Sequence, residues 1–338
     1  MDVVSTLKRI AFLLERHGAP SYKVQAFRKA ADGVADAGEE RVAALAAAGR
    51  LKDLPGVGDT TARVVAEVLA GEEPVYLRDL EAQPTDEPSA AAAALRAQLR
   101  GDCHSHSNWS DGGSPIREMA EAARDLGHEY LVLTDHSPRL TVAHGLNRER
   151  LLQQLDEVAG LNEELAPFRI LTGIEVDILE DGLLDQDDDL LAGLDLVVAS
   201  VHSKLKMERP QMTKRMVRAI ESPHTDILGH CTGRLLVGRG RAQSQFDSEA
   251  VFAACARTGT AVEINSRPER RDPPEELLRQ ATEAGCQVSI DTDAHAPGQL
   301  EWLVLGCEQA IAAEVPEDRI VNRWGVDELL AWTAGHAV

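Results

Sequence analysis

Apolar residues first recur at helical spacing. Val3, Leu7, Ile10, Leu13 and Leu14 fall on one face of a helix, and Val24, Phe27, Ala30, Ala31 and Val34 on one face of another. Residues 41–50 and 60–70 continue the pattern across the break Asp53-Leu54-Pro55-Gly56-Val57-Gly58, so 1–82 reads as a small all-helical domain. Residues 83–89 are polar and Pro-containing and 90–99 are Ala-rich, which predicts a linker over 83–100. From residue 101 the period changes. Short apolar runs at 130–133, 170–174, 194–199, 226–228, 260–264 and 287–290 alternate with amphipathic helical stretches. With a segment entering Cys103 they make about seven strands, each followed by a helix. The class is α/β, and 101–338 should form a βα-alternating barrel or a layered sheet.

Composition narrows the class. A length of 338 residues suits two domains, and 27% charged with 43% hydrophobic residues is an ordinary globular balance. No apolar run approaches the roughly 18 residues of a membrane span, and the first residues lack the pattern of a signal peptide. The five cysteines are scattered, with no CxxC pair. That excludes a disulfide scaffold and a Cys-rich zinc finger, and the expected compartment is the reducing cytoplasm. Lys and Arg number 35 against 56 Asp and Glu, a net charge of −21, of which residues 1–82 carry only −2. Such a body repels a polyanion unless bound cations reverse the sign locally.

Candidate cation ligands stand where strands finish, the end at which βα barrels place their sites. In chain order the strand ends give His104-Ser-His106 with Asp111, then Thr134-Asp135-His136, Glu175, His202, His230, Glu263-Ile-Asn265, and Asp293-Ala-His295. Six of the eleven histidines fall there. On an extended segment the two rings of an HxH pair point the same way, so one ion can take both; Cys103 should face the opposite side and pack. Imidazole and carboxylate together suit zinc, manganese or iron.

This constellation resembles the PHP family, the polymerase and histidinol phosphatase domains. The closest likeness is to the PHP domain of bacterial X-family DNA polymerases, carried by Ser200-Val-His202-Ser-Lys204, Leu228-Gly-His230, Thr232-Gly-Arg234, Glu263-Ile-Asn265 with Pro268-Glu-Arg270, and Asp291-Thr-Asp293-Ala-His295. Cys231 stands where that family usually has proline. The resemblance covers 101–335 and implies a distorted seven-stranded βα barrel. It also implies three divalent metal ions held by His104, His106, Asp111, His136, Glu175, His202, His230, Asp293 and His295. Glu175 is expected as the shared carboxylate, and Glu175, Asp293 and His295 as the catalytic set. The implied chemistry is metal-assisted phosphoester hydrolysis. Arg234, Arg267 and, less directly, Lys204 and Lys206 would hold a substrate phosphate; the plainer reading of each is a surface salt bridge.

Leu54-Pro55-Gly56-Val57-Gly58 before a helix, with Tyr22-Lys-Val-Gln-Ala-Phe-Arg-Lys-Ala-Ala31, resembles the helix-hairpin-helix domain at the N-terminus of the same polymerases. Glycine lets backbone N–H groups approach a phosphate. DNA contacts are expected from Lys23, Arg28, Lys29, Gly56, Gly58 and Arg63. Two departures matter. Only about eighteen residues separate the two domains where those enzymes carry a catalytic palm, so polymerase activity is not expected. The position of a Schiff-base lysine on the helix after the hairpin is Val64, which speaks against lyase chemistry. The expected function is a DNA-end phosphoesterase of DNA repair (3′–5′ exonuclease, 3′-phosphatase or abasic-site processing). The competing readings are a small-molecule phosphomonoesterase of the histidinol-phosphate type, which leaves 1–82 unexplained, and a DNA-binding scaffold with a relic barrel, which the intact ligand set disfavours.

Overall fold

The computed structural model describes residues 2–83 and 87–336, and the chain divides into two compact units, Met1–Glu87 and Pro88–Val338. The first consists of α1 (Val3–Arg16), α2 (Ser21–Ala37), α3 (Glu39–Ala47), α4 (Asp59–Leu69) and α5 (Val75–Glu81). Asp2 starts α1 by accepting the Ser5 N–H at 2.8 Å. The two apolar stripes predicted for α1 and α2 face each other in one core with Leu54, Val57, Val64, Val65 and Val68.

Two glycines seat the Pro55-Gly56 turn against α2. A Cβ at Gly33 would lie 2.0 Å from the Pro55 carbonyl oxygen, and one at Gly56, where φ is +76°, would lie 2.4 Å from the Lys29 carbonyl oxygen. The Thr61 hydroxyl then accepts the Gly58 N–H at 2.8 Å and fixes the entry to α4.

The second unit begins with α6 (Ala90–Arg96) and runs β1 (Gly101–Ser105), α7 (Ile116–Asp125), β2 (Tyr130–Leu133), α8 (Arg148–Leu165), β3 (Arg169–Asp177), α9 (Asp188–Leu191) and β4 (Leu196–Ser200). It continues through α10 (Arg209–Ile220), β5 (Ile227–Leu228), α11 (Ser248–Thr258), β6 (Ala261–Asn265), α12 (Glu275–Ala284), β7 (Val288–Asp291), α13 (Leu303–Ala312) and α14 (Val326–Ala334). All seven strands run parallel in sequence order, and those other than β3 are buried along their whole length. Burial on both faces explains why they read as apolar runs rather than alternations. The barrel is nearly closed. Between the β1 and β7 edges the described residues show a single bridge, Ser105 to Ala294, and side chains take over from a ladder. Asp291 Oδ1 accepts the Cys103 N–H at 2.8 Å, Asp102 accepts the Thr292 N–H and hydroxyl, and Asn322 is wedged against Ile290 and Asp291. Burial, and then the neighbouring Asp291 charge, push the Asp102 carboxyl up to about 8.

One expectation needs correcting. The Ala-rich half of the predicted linker is α6, whose Ala92 and Leu95 are buried with Leu303, Cys307 and Ala310 of α13. Alanine has the highest helix propensity and its short side chain lets two helices approach closely. Residues 84–86 of that linker lie outside the described residues. Among the described residues no helix is long and apolar enough to cross a membrane.

Helix α6 is also pinned by Arg96, whose Nη2 stands 2.7 Å from Nε2 of the buried His128 ring. Burial, and then the Arg96 charge, depress that imidazole to about 3. An unfolded ring near 6.5 takes up protons that the folded ring refuses, so this stabilisation is complete above about pH 6.5 and is lost as pH falls toward 3. Between pH 7 and 5 the native chain should lose about 2 kcal/mol more stability than His128→Gln in urea unfolding. Equal losses in the two proteins would overturn this account of His128.

Candidate metal centre

Every residue in the predicted ligand set reaches the same end of the barrel. The pairing of β1 with β2 slips between Asp102 and Ser105, so β1 holds one residue more than its partner there. Such a bulge re-aims the side chains it carries. His104 and His106 turn inward with ring centroids 5.1 Å apart, while Cys103 packs into the core beside Tyr130 and Val132. Glu175 projects from β3, and His136, His202, His230 and His295 follow β2, β4, β5 and β7. Asp293 is held at φ +53°, a conformation that a non-glycine residue keeps only when its surroundings impose it.

Glu175 is at the centre. Its Oε1 is 2.8 Å from His230 Nε2 and 3.1 Å from His202 Nε2; its Oε2 is 2.8 Å from His136 Nδ1, 3.4 Å from His104 Nε2 and 3.6 Å from His106 Nε2. Most of these approaches are not hydrogen bonds. His104 Nε2, both nitrogens of His106 and of His202, His136 Nδ1 and Glu175 Oε2 are buried without a hydrogen-bond partner among the described residues. Buried polar atoms left unpaired at such cost, with lone pairs converging on shared points, fit divalent cations. The atoms group as His106, Asp111, His136 and His295; His104, His106 and Glu175; and His136, Glu175 and His202, each set lying within 4.8 Å. These three overlapping sets share His106, His136 and Glu175, and their donors suit divalent metal.

The electrostatics conform. Burial pushes the Glu175 carboxyl up, but the surrounding His202, His136 and His104 outweigh it and hold the group well below the usual carboxylate range. Burial, followed by His295 and His136, takes His106 down to about 3, and burial followed by Arg270 takes His230 to about 4. For His202 burial is outweighed by Glu175 and Asp177, which raise it to about 9. Neighbouring rings pulled in opposite directions mark a charge balance that cations, not protons, would settle.

Four residues outside the predicted nine-ligand set shape this cluster. Glu263 Oε1 meets His104 Nδ1 at 2.6 Å, and its other oxygen accepts the His230 N–H. This fixes the His104 ring with Nε2 toward Glu175, the carboxylate–imidazole support common behind metal ligands. Asp135 accepts from Ser107 N and Oγ, Ser110 and Gln154, and so sets the loop that carries Asp111. Asp177 receives the His202 N–H at 3.1 Å. Arg270, largely buried, places Nε 3.1 Å from Asp293 Oδ2. The available signals were strand alternation for Glu263 and the Thr-Asp-His run for Asp135.

The predicted substrate cations separate. Arg267 lines a cleft of about 400 Å³ over the cluster, together with Arg270, Asp111, His136, Glu175, His202, Asp293 and His295. Its Nη1 is 3.1 Å from His295 Nδ1 and 3.6 Å from Asp293 Oδ1. Arg234 is not part of that lining; its guanidinium donates to the carbonyls of Arg270 and Arg271. Lys204 is exposed, with Nζ 4.0 Å from Glu180. In the first unit Lys23, Lys29 and Arg63 are exposed on α2 and α4. Arg28 instead pairs at 2.6 Å with Glu15, whose side chain is 2% exposed, and serves the packing of α1 on α2. Val64 lies in the core.

Comparison with known proteins follows the same division. Residues 102–267 match the PHP domain and residues 1–74 match a helix-hairpin-helix domain. Over 235 residues, 70% of its length, the chain is 43% identical to the DNA polymerase/3′-5′ exonuclease PolX of Bacillus subtilis, and it spans 41% of that protein. It is 29% identical over 233 residues to a probable phosphatase of Thermoanaerobacter, covering 65% of this chain and 89% of that one. A solved histidinol phosphate phosphatase of Lactococcus lactis, complexed with zinc, L-histidinol and phosphate, aligns with a TM-score of 0.46 at 18% identity, over 64% of this chain and 94% of that one.

Two outcomes are expected. Manganese or zinc added to chelator-stripped protein at about a hundredfold over its Kd should raise the Tm by about 5–10 °C, because the folded state alone assembles these ligands. Glu263→Gln should keep the fold yet weaken metal affinity about 10–100-fold in a chelator competition. A Tm indifferent to metal would contradict the cluster, and unchanged affinity in the variant would remove Glu263 from it.

Proposed function

The chain belongs to the PHP family through residues 102–267 and carries a helix-hairpin-helix domain in residues 1–74; from that premise we propose that it is a metal-dependent phosphoesterase acting on DNA ends in repair. The reading is carried by the pairing, on one chain, of a phosphoesterase-type cluster with a helix-hairpin-helix domain whose Lys23 and Lys29 are exposed. Its nine ligands are His104, His106, Asp111, His136, Glu175, His202, His230, Asp293 and His295, and three divalent ions are proposed. Zinc, manganese and iron all suit such donors. Bound there, the ions would polarise a phosphoryl oxygen and make water a nucleophile at neutral pH.

The protein's own groups do the positioning. Glu175, with each oxygen turned to a different set of imidazoles, sets the spacing of the cluster. Asp293 and His295 line the cleft where the phosphoryl group would sit, and Asp293 steers the guanidiniums of Arg267 and Arg270. These two arginines offer the planar, permanently charged fork that phosphate takes best. Arg270 replaces Arg234 in that role, since Arg234 is spent on backbone carbonyls. In the first unit Lys23, Lys29, Arg63 and the N–H groups around Gly56 and Gly58 would take DNA backbone phosphates. Five free, buried thiols support a cytoplasmic setting. The likeness to probable phosphatases favours a second reading, a small-molecule phosphomonoesterase.

Metal-loaded full-length protein assayed on 3′-end-labelled DNA and on histidinol phosphate separates the two. DNA-end release is expected, and turnover of histidinol phosphate alone would reject the proposal. His104→Ala and Asp293→Ala should abolish activity in soluble protein. Lys23→Ala with Lys29→Ala should flatten the slope of log affinity for DNA against log salt by about 1 per contact removed. Arg28→Ala should lower the melting temperature and leave that slope unchanged.

A further inference from the structure

Between β5 and α11 the chain makes an excursion that the nine ligands do not need. Residues 235–241 form a small hairpin in which Leu235 and Arg241 exchange backbone hydrogen bonds of 3.0 and 2.9 Å. Gly238 and Gly240, at φ +66° and +65°, turn its tip. The root is firmly tied. Arg234 donates to the Arg270 and Arg271 carbonyls, Arg241 Nε donates to the Gly233 carbonyl at 2.6 Å, and Leu236 N–H donates to the Glu269 carbonyl at 2.7 Å. Two arginines are thus consumed in bracing one loop.

What the root holds up is unusual for a surface. Leu236 and Val237 are each 53% exposed, next to Arg239, which is exposed and has no partner among the described residues. Leu235 and Val237 also line the cleft over the metal cluster, and so does Leu140 from the loop after β2, where Val142 is 87% exposed. A cleft built from imidazoles, carboxylates and arginines therefore has apolar rims. An exposed cation beside exposed aliphatic groups, on a chain of net charge −21, complements a ligand that is flat and apolar in one part and anionic in the next. A nucleotide within a strand is such a ligand. A small polar phosphomonoester needs only the arginines and the ions.

We propose that residues 235–241 are an arm that holds the nucleoside beside the scissile phosphate of a nucleic-acid strand, with Leu236 and Val237 against the base and Arg239 on the neighbouring phosphate. This rests on the DNA reading of the metal centre and adds to it a strand-gripping element outside the first domain. Leu236 and Arg239 are the residues to test, because neither lines the cleft itself. Full-length, metal-loaded protein and the variant Leu236→Ser/Arg239→Ser would be compared on a short 3′-labelled oligonucleotide and on bis-p-nitrophenyl phosphate, a diester without a nucleoside. On the oligonucleotide KM should rise about tenfold with kcat within about twofold, the signature of lost ground-state binding. Kinetics on the nitrophenyl ester, metal content and Tm should stay as in the native protein. If the native protein degrades the oligonucleotide and the variant matches it, or if both substrates suffer alike, the arm is overturned while the DNA reading stands. If the native protein hydrolyses the nitrophenyl ester but leaves the oligonucleotide intact, the DNA reading falls, and the arm falls with it.

Discussion

One carboxylate ringed by five imidazoles is an arrangement that proton chemistry alone satisfies poorly. Glu175 has nitrogens of His104, His106, His136, His202 and His230 within 3.6 Å of its oxygens, and most of the facing atoms have no hydrogen bond among the described residues. Desolvating that many polar atoms costs several kcal/mol unless something with positive charge takes up their lone pairs. The barrel exists to make this concentration possible, since only strand ends converging around one axis bring residues 104 to 295 to a common point. The acidic composition also becomes intelligible. On a chain of net charge −21, cations held there would invert the field that otherwise repels a phosphate from the barrel.

The supporting structure is organised around holding rings in orientation. Glu263 fixes His104, Asp177 holds the backbone of His202, and Asp135 ties down the loop before Asp111. None of these carboxylates needs to touch an ion to matter. A ring turned away by one rotamer would remove a ligand as surely as deleting it. The bulge in β1 belongs to the same economy, because it re-aims His104 and His106 while Cys103 keeps its place in the core.

Much of this could be read from the sequence, for a definite reason. Buried parallel strands appear as apolar runs, and the residue after each run is forced to the barrel mouth. Strand ends at 133, 200, 228 and 291 were therefore legible to within a residue or so, and the histidines and acids behind them announced the cluster. Pairings between distant segments left no such trace. Glu15 claims Arg28, the Arg270 and Arg271 carbonyls claim Arg234, and Asp293 claims Arg270. A charged side chain shows its type in the sequence but not its partner, so the arginines were the residues whose roles moved. The alanine stretch misled differently. Without large apolar residues it carries little periodicity, yet it packs as α6 because small side chains permit close approach.

The seam between the first and last strands is where the proposed metal centre draws its ligands from both ends of the barrel sequence. His104 and His106 belong to one edge, Asp293 and His295 to the other, and the edges are laced by Asp102, Asp291 and Asn322 rather than by a continuous ladder. Asn322 adds contacts to the Gly101 carbonyl on one edge and to Asp291 on the other, so a chain ending before it would close the seam with fewer bonds. A chain ending before β7 would lack Asp293 and His295, and with them the second edge of the proposed metal centre.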